Sequence, residues 1–278
     1  MGSAPSSPDR LRRSNFFDGP RPWSPERERD IRDVAATVCE CDLFAERELS
    51  AAEGTWEYAL SASGRRVFLR HGTQDVAILD EVFRKRLYDP PPHVAEILEA
   101  AAEPLTVVDV GANIGLFGAF VADRFATGTI VAFEPDPFNL ALLDRMVGAS
   151  GEEPAWGIVR ACAGTGQGSV AFHAGEFACS RIAEPGAAPR ETTMTPVVDL
   201  FEHLEHANLL KIDIEGGEWA LLADPRLRTS PVRAIALEYH QHLSPPGPPG
   251  RSAERLLHRA GFSTETLHER PDGQGMLW

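Results

Sequence analysis

The sequence contains few lysines and no long apolar run. Only Lys85 and Lys211 are lysines among the 27 basic residues, which face 41 acidic ones, and the formal net charge is −14. A protein that binds nucleic acid presents a basic surface to the phosphates, so this balance disfavours an RNA or DNA partner. No apolar stretch approaches the roughly 20 residues of a membrane-spanning helix, and we expect neither a membrane span nor a signal peptide.

Cysteine is also scarce. The four cysteines, Cys39, Cys41, Cys162 and Cys179, match no zinc-binding spacing. A disulfide framework is typical of much smaller secreted chains, so we predict free thiols and a cytoplasmic protein. A chain of 278 residues can hold one α/β domain and an N-terminal extension. The sequence leaves open whether the protein forms a homodimer.

Residues 105–115 have the pattern of a strand, a tight turn and the start of a helix. Leu105–Val110 is a short β-branched run of the kind buried inside a parallel sheet, and Gly111, Asn113 and Gly115 follow it. Glycines at such a turn let the backbone approach a ligand closely, because no Cβ stands in the way. The segment therefore predicts the first unit of a nucleotide-binding α/β domain.

The next apolar strand indicates which ligand binds. It ends at Glu134, and an acidic side chain at this point accepts hydrogen bonds from a ribose diol. Asp109 would repel a pyrophosphate but suits a cationic amino group. The Gly-x-Gly-x-x-Gly turn that seats the pyrophosphate in an NAD-dependent oxidoreductase is absent. A ribose and an ammonium without a diphosphate indicate S-adenosylmethionine. An NAD-dependent oxidoreductase and a non-catalytic cofactor-binding module are the rival interpretations.

Three motifs, in this order, resemble the FkbM family of S-adenosylmethionine-dependent methyltransferases. They occupy residues 107–115, 131–136 and 209–218, and residues 70–75, followed by Tyr88, are similar to the lead-in of that family. The resemblance implies a Rossmann-like class I methyltransferase fold. It also implies methylation of a hydroxyl of a small natural product, a sugar or a polyketide-type compound, in secondary metabolism such as antibiotic biosynthesis. An amine, a carboxylate or a carbamate remains an alternative acceptor.

The chain is expected to divide into three parts. Residues 1–24 are predicted to be a disordered tail, residues 25–102 an extension of helices and a hairpin, and residues 103–278 the methyltransferase domain. We predict a mostly parallel seven-stranded sheet whose third, fourth and fifth strands lie at 157–162, 208–213 and 231–240. Residues 262–267 and 275–278 are predicted to form its antiparallel closing hairpin.

The cofactor site is predicted from the turns that follow the strands and from the lead-in segment. A mobile lid is expected at 176–190, because this segment is polar, contains glycine and lies near strand ends. The predicted cofactor-binding residues are Thr73, Asp75, Asp109, Gly111, Asn113, Gly115, Glu134, Pro135, Asp136, Ala161, Cys162 and Asp213.

The catalytic candidates lie at the carboxyl ends of the fourth and fifth strands. They are Asp213, His240, Lys211 and Glu238. On neighbouring strands Lys211 and Glu238 are expected to form a buried ion pair, because an unpaired buried charge is strongly unfavourable. His240 has the unperturbed pKa of a general base. No metal site is predicted, although Asp213, Glu238 and His240 together have the chemistry to hold a divalent ion.

Overall fold

The computed structural model describes residues 24–152, 154–175, 181–182 and 192–278. The predicted tail lies outside this part of the chain except for Ser24. Cys179 and the predicted lid, apart from the backbone of residues 181–182, lie outside it as well. Among the described helices, none combines the length and the apolar character that a membrane span requires.

The chain begins with two helices and a hairpin. These are α1 (Pro25–Ala35), α2 (Cys41–Leu49), β1 (Thr55–Ala59) and β2 (Arg66–Arg70). Ser24 caps α1, since its hydroxyl accepts a hydrogen bond from the backbone N–H of Arg27 at 3.1 Å, and Pro25 occupies the first helical position. The two strands pair antiparallel, as the sequence predicts.

A short helix with an irregular end leads into the sheet. It consists of α3 (Asp75–Leu79) and a π-helical turn at Asp80–Arg84, and α4 (Pro92–Glu99) follows after a proline-rich segment. The buried Asp80 carboxylate holds the π turn, because it accepts from Lys85 Nζ at 2.8 Å and from Arg84. Such turns recur at functional sites.

The central sheet has seven strands. Its elements, in chain order, are β3 (Leu105–Val110), α5 (Leu116–Arg124), β4 (Thr127–Phe133), α6 (Pro137–Ala149) and β5 (Ala155–Val159) in the first half. A small second sheet interrupts it with β6 (Cys162–Gly164), β7 (Gly168–His173), β8 (Arg181–Ile182) and β9 (Thr193–Asp199). The second half comprises β10 (Leu209–Ile212), α7 (Glu218–Ala223), β11 (Ala234–Tyr239), α8 (Pro249–Ala260), β12 (Thr266–Glu269) and β13 (Gly275–Leu277).

The strand order across the sheet is β5-β4-β3-β10-β11-β13-β12. The first five of these run parallel, whereas β13 pairs antiparallel with both β11 and β12. This confirms the predicted Rossmann-like class I methyltransferase fold with its closing hairpin. The strand order reverses beside β3, and the carboxyl ends of β3, β4, β10 and β11 meet at one edge, where ligands bind in open α/β sheets.

Several predicted strand boundaries are wrong. The first strand of the closing hairpin is Thr266–Glu269 and not 262–267, and the fifth strand begins at Ala234 and not at 231. The third strand ends at Val159 and not at Cys162, because the Ala161 N–H donates to the Val159 carbonyl at 3.0 Å and turns the chain. Cys162 therefore starts β6, which pairs parallel with β9 in the second sheet. The turn still leaves Ala161 and Cys162 at the carboxyl edge of the central sheet.

Candidate active site

A cavity of about 480 Å³ opens at the carboxyl edge of the central sheet. Its volume falls in the range of sites for small ligands. The residues that line the cavity include two groups that differ in chemistry. We call Gly111, Asn113, Glu134, Pro135, Ala161 and Cys162 the glycine wall, and Glu81, Tyr88, Lys211, Asp213, Glu238, Arg270 and Gln274 the carboxylate wall.

Gly111 brings the end of β3 against the end of β10. Its φ of 82° lies in the left-handed region, and an added Cβ would stand 1.9 Å from the backbone carbonyl oxygen of Asp213. No side chain fits between these two backbones, so glycine is required here. The close approach gives the cavity a backbone floor.

Glu134 is a hydrogen-bond acceptor in the glycine wall, and two backbone N–H groups hold its carboxylate. Its Oε2 accepts from the backbone N–H of Asn113 at 2.7 Å, and its Oε1 accepts from the backbone N–H of Asp136 at 2.8 Å. Burial raises the pKa of Glu134 to about 7, although both backbone donors oppose the rise. With the Asn139 side chain as a third donor, one of the roughly four acceptor sites of the Glu134 carboxylate remains for a ligand.

The lead-in segment supports Glu134, and Gln74 and Tyr88 of this segment line the cavity. Asp75 is fully buried and holds Arg70 through contacts of 2.8 and 2.9 Å. Arg70 donates to Asn139 Oδ1 at 2.9 Å, and the Asn139 side chain in turn hydrogen-bonds Glu134. Thr73 bonds the backbone of its own turn at Arg70. Neither Thr73 nor Asp75 is in the described cavity lining, and their contact with the cofactor stays a prediction.

Two other predicted cofactor residues also shape the site from behind the described wall. An added Cβ on Gly115 would stand 1.9 Å from Met146 Cε, so this glycine lets α6 pack against the turn. Asp136 caps α6, because its Oδ1 accepts from the Phe138 N–H at 2.8 Å, while its Oδ2 accepts from the Gly175 N–H at 2.7 Å. Neither residue is in the described cavity lining, and contact with the cofactor stays a prediction for both.

Lys211 pairs with Asp109 and not with Glu238 as predicted. The parallel register places Lys211 opposite Asp109 of β3 and Ala236 of β11, so Glu238 lies two residues further along its strand. Lys211 Nζ donates to the Gly111 carbonyl at 2.6 Å and lies 3.4 Å from both Asp109 Oδ1 and Asp213 Oδ2. Burial alone would lower the pKa of Lys211, but the neighbouring carboxylates outweigh it and raise it.

This pairing also changes the role of Asp109. Its side chain is fully buried behind the cavity, and among the described residues Lys211 is its ionic partner. Burial raises the pKa of Asp109, and the Lys211 ammonium opposes that rise. Asp109 thus forms an ion pair with Lys211, which itself lines the cavity, and its contact with a ligand ammonium stays a prediction.

Tyr88 joins two carboxylates of the carboxylate wall. Its hydroxyl lies 3.1 Å from Glu238 Oε2 and 3.4 Å from Asp213 Oδ2. Glu238 also accepts a short hydrogen bond from Gln274 Nε2. Burial and the nearby Asp213 raise the pKa of Glu238 to about 7, whereas burial and the same carboxylates hold the pKa of Tyr88 well above its usual value.

His240 lies behind the carboxylate wall, outside the described lining of the cavity. Its Nδ1 is 3.3 Å from Glu218 Oε1, and its Nε2 is 3.8 Å from Glu215 Oε2 and 4.0 Å from Asp213 Oδ1. Burial would lower the pKa of His240, but Glu218, Glu215 and Asp213 outweigh it and raise the pKa to about 10. The ring is therefore a cation at neutral pH, a state that has no free nitrogen to accept a proton, and general-base catalysis by His240 stays a prediction.

An ion pair closes one end of the carboxylate wall. Arg270, in the turn of the closing hairpin, lies 3.4 Å from Glu81, which the π turn carries into the cavity. Desolvation raises the pKa of Glu81, and the Arg270 guanidinium opposes that rise. This pair connects the N-terminal extension to the closing hairpin.

Comparison with known proteins identifies the family. The model of the methyltransferase FkbM domain matches residues 109–264, which is more than half of the chain. The match includes the whole glycine wall and Lys211, Asp213 and Glu238 of the carboxylate wall. The chain belongs to the FkbM methyltransferase family.

Individual relatives are distant. The hexuronic acid methyltransferase AglP of Haloferax volcanii is 25% identical over 195 residues, which cover 68% of this chain and 77% of AglP. The structure of methyltransferase FkbM from Methylobacillus flagellatus is 16% identical, with a TM-score of 0.42 over 74% of this chain. This chain spans only 53% of that protein. A SAM-dependent methyltransferase from Agrobacterium tumefaciens is 14% identical, with a TM-score of 0.44 over 81% of this chain and 69% of the other.

Several wall residues of this FkbM-family chain were not predicted as site residues. They are Glu81, Tyr88, Arg270 and Gln274, and Asn139 joins them in the cavity lining. Each comes from a turn or helix whose approach to the cavity depends on long-range packing. The proline-rich break after Tyr88 was visible in the sequence, but no local pattern showed where the ring would point.

The described residues contain no group of three or more His, Cys, Asp or Glu side chains placed to hold a metal ion. Asp213, Glu238 and His240 lie near one another, yet Glu238 is engaged by Tyr88 and Gln274, and the His240 Nδ1 by Glu218.

Proposed function

We propose that this chain transfers a methyl group from S-adenosylmethionine to a hydroxyl of a small polyhydroxylated acceptor, such as a sugar. The observation that carries the proposal is a single cavity with two chemically different walls. The glycine wall suits a nucleoside, and the carboxylate wall is lined by side chains that donate or accept hydrogen bonds.

The glycine wall fits the cofactor. Gly111 leaves a space that any Cβ would fill, and Glu134 retains an acceptor site for a ribose hydroxyl. The Asn113 side-chain oxygen is buried without a hydrogen-bond partner among the described residues, so it can accept from a ligand N–H group. Ala161 and Cys162 offer a small apolar surface to a base. When bound, S-adenosylmethionine supplies an electrophilic methyl group.

The carboxylate wall provides orientation and proton removal. An alcohol acceptor has a pKa far above neutrality, so a base must take its proton before or during methyl transfer. Asp213 and Glu238 are the wall carboxylates nearest to the ends of β10 and β11, and we assign this role to them in place of His240. Lys211 keeps the backbone of Gly111 in place and compensates the Asp213 charge.

A sugar is the acceptor that this wall favours over a polyketide-type compound. Glu81, Tyr88, Glu238, Arg270 and Gln274 supply polar groups around the acceptor space, and the curated relative is a hexuronic acid methyltransferase. We place the reaction in natural-product metabolism, with residues 103–278 as the methyltransferase domain and 25–102 as an extension that completes the cavity. The free Cys39, Cys41 and Cys162 favour a cytoplasmic location.

Methyl transfer from isotope-labelled S-adenosylmethionine tests the proposal. D-glucose and D-glucuronic acid serve as hydroxyl acceptors, catechol as an aromatic one and D-glucosamine as an amine-bearing one. Label recovered as a methyl ether of a hexose supports the proposal. Label found only on catechol or on the glucosamine nitrogen overturns the sugar-hydroxyl assignment while leaving the methyltransferase assignment intact.

A further inference from the structure

Tyr88 belongs to the segment before the first strand of the central sheet, yet its side chain reaches the ends of β10 and β11. It is 8% exposed, and its ring packs against Phe117 of α5 with the ring centroids 5.3 Å apart. Packing on one side and carboxylates on the other fix the hydroxyl at the cavity wall. A hydroxyl has one proton to donate, so Tyr88 can donate to Glu238 or to Asp213, and the two acceptors compete for it.

We propose that Tyr88 is the positioning residue for proton removal from the acceptor, and that it joins Glu238, the base, and Asp213 into one acid–base unit. The inference rests on the proposed function. Gln274 of the closing hairpin donates to Glu238 Oε1, and Tyr88 of the N-terminal extension donates to Glu238 Oε2. Each oxygen of the carboxylate therefore has its own hydrogen-bond donor. A group held at both oxygens has little freedom to rotate away from an acceptor hydroxyl.

The step is balanced in protons and electrons. The acceptor oxygen forms its bond to the methyl carbon while the bond from that carbon to sulfur breaks, and the sulfonium becomes a neutral thioether. The hydroxyl proton goes to Glu238, which becomes a neutral acid. Tyr88 then donates to Asp213, which still carries its charge, and accepts from the new Glu238 hydroxyl.

The surroundings of Glu238 agree with this assignment. Charged or titratable groups from four parts of the chain act on it. They are Glu81 of the π turn, Tyr88 of the segment after that turn, Lys211 and Asp213 of β10 and its end, and His240 at the end of β11. Asp213 and Glu81 raise the pKa of Glu238, whereas His240 and the Tyr88 hydrogen bond lower it, and it lies at about 7. A base with a pKa near the working pH is the efficient one.

The variant Tyr88→Phe tests the proposal, because it keeps the ring packing and removes only the hydroxyl. Its matched control is Tyr239→Phe, since Tyr239 follows Glu238 on β11, and its buried hydroxyl has no partner among the described residues and lies outside the cavity lining. Glutamate labelled with ¹³C at the carboxyl carbon reports each titration, and Glu238→Gln assigns the signal.

In the parent protein the Glu238 signal should titrate near pH 7. Loss of the Tyr88 donor should move this midpoint upward, because that hydrogen bond lowers the pKa, whereas Tyr239→Phe should leave it in place. Turnover of the best hexose acceptor should fall about 10- to 100-fold in Tyr88→Phe, as expected for a lost hydrogen bond to a charged group, with KM nearly unchanged. The acid limb of its pH–rate profile should shift upward together with the midpoint.

Binding of S-adenosylhomocysteine distinguishes a failure of the proposed function from a failure of the role assigned to Tyr88. A parent protein that does not bind S-adenosylhomocysteine overturns the proposed function. A Tyr88→Phe variant that binds it normally but keeps the parent's Glu238 midpoint overturns the role of Tyr88 alone. A shifted midpoint with normal binding supports the inference even before an acceptor is identified.

Discussion

Lys211 on β10 lies opposite Asp109 on β3, with Lys211 Nζ 3.4 Å from Asp109 Oδ1 and both side chains buried. The lysine also donates to the Gly111 carbonyl at 2.6 Å, so one ammonium compensates a buried charge and ties the glycine turn to the neighbouring strand. This arrangement couples the stability of the central sheet to the shape of the glycine wall.

Replacement of Lys211 by methionine should destabilise the fold strongly. Asp109 would then be a buried charge without compensation, and the expected loss is about 3–5 kcal/mol in the free energy of unfolding by urea denaturation. Lys85→Met is the matched control, since the other lysine of the chain is half-exposed and Asp80 keeps Arg84, and it should cost at most about 1 kcal/mol. The double variant Asp109→Asn with Lys211→Met should recover part of the loss. Equal stability of both single variants would contradict the buried pair.

Gly111→Ala should abolish cofactor binding, because the new Cβ would collide with the Asp213 carbonyl and the backbone would keep a φ of 82°. Gly148 of α6 is the control, since its added Cβ would meet nothing within 4 Å. Gly148→Ala should bind S-adenosylhomocysteine normally and gain about 0.5–1 kcal/mol from the better helix propensity. Normal binding by Gly111→Ala, measured by calorimetry, would show that the turn is not the floor of the site.

Protonation of Glu134 should control cofactor affinity. Burial raises its pKa to about 7, and a ribose hydroxyl donates a stronger hydrogen bond to the ionised carboxylate than to the neutral acid. Affinity for S-adenosylhomocysteine should therefore fall as the pH is lowered through about 7. Glu134→Ala should lose about 1.5–3 kcal/mol of binding at pH 8 and lose this pH dependence. Glu103→Ala, at an exposed position before β3, should match the parent at every pH. A parent affinity that stays constant between pH 6 and 8 would refute the assignment.

His240 should make the folded state less stable as the solution becomes more alkaline. The pKa rises from 6.5 to about 10 on folding, so between these values the folded protein holds a proton that the unfolded chain has released. This stabilisation is complete below pH 6.5 and is lost as the pH approaches 10. His240→Gln should flatten the fall in unfolding free energy across this window, whereas His93→Gln, at an exposed histidine, should not. Equal slopes in both variants would contradict the cationic state of His240.

The sequence predicted what depends on local pattern. The glycine turn, the acidic end of β4 and the apolar strands indicated a class I methyltransferase sheet, and Gly111, Asn113 and Glu134 line the cavity as predicted. These residues follow directly from the strand–turn–helix unit. The family resemblance rested on the same motifs.

The remaining features depend on contacts between distant segments. Strand periodicity placed Lys211 and Glu238 on matching faces, but the register that pairs Lys211 with Asp109 is set by how β10 fits between β3 and β11. Tyr88 reaches Asp213 over 125 positions of sequence, and Glu218 accepts from His240. Neither contact has a local signature, so the sequence left the base open between His240 and Asp213.

The central claim is that the cavity at the carboxyl edge of the sheet binds S-adenosylmethionine, and calorimetric titration with S-adenosylhomocysteine tests it most directly. The account predicts saturable one-to-one binding by the parent, weaker binding by Glu134→Ala and no detectable binding of NAD. Binding of NAD with no binding of S-adenosylhomocysteine would contradict it.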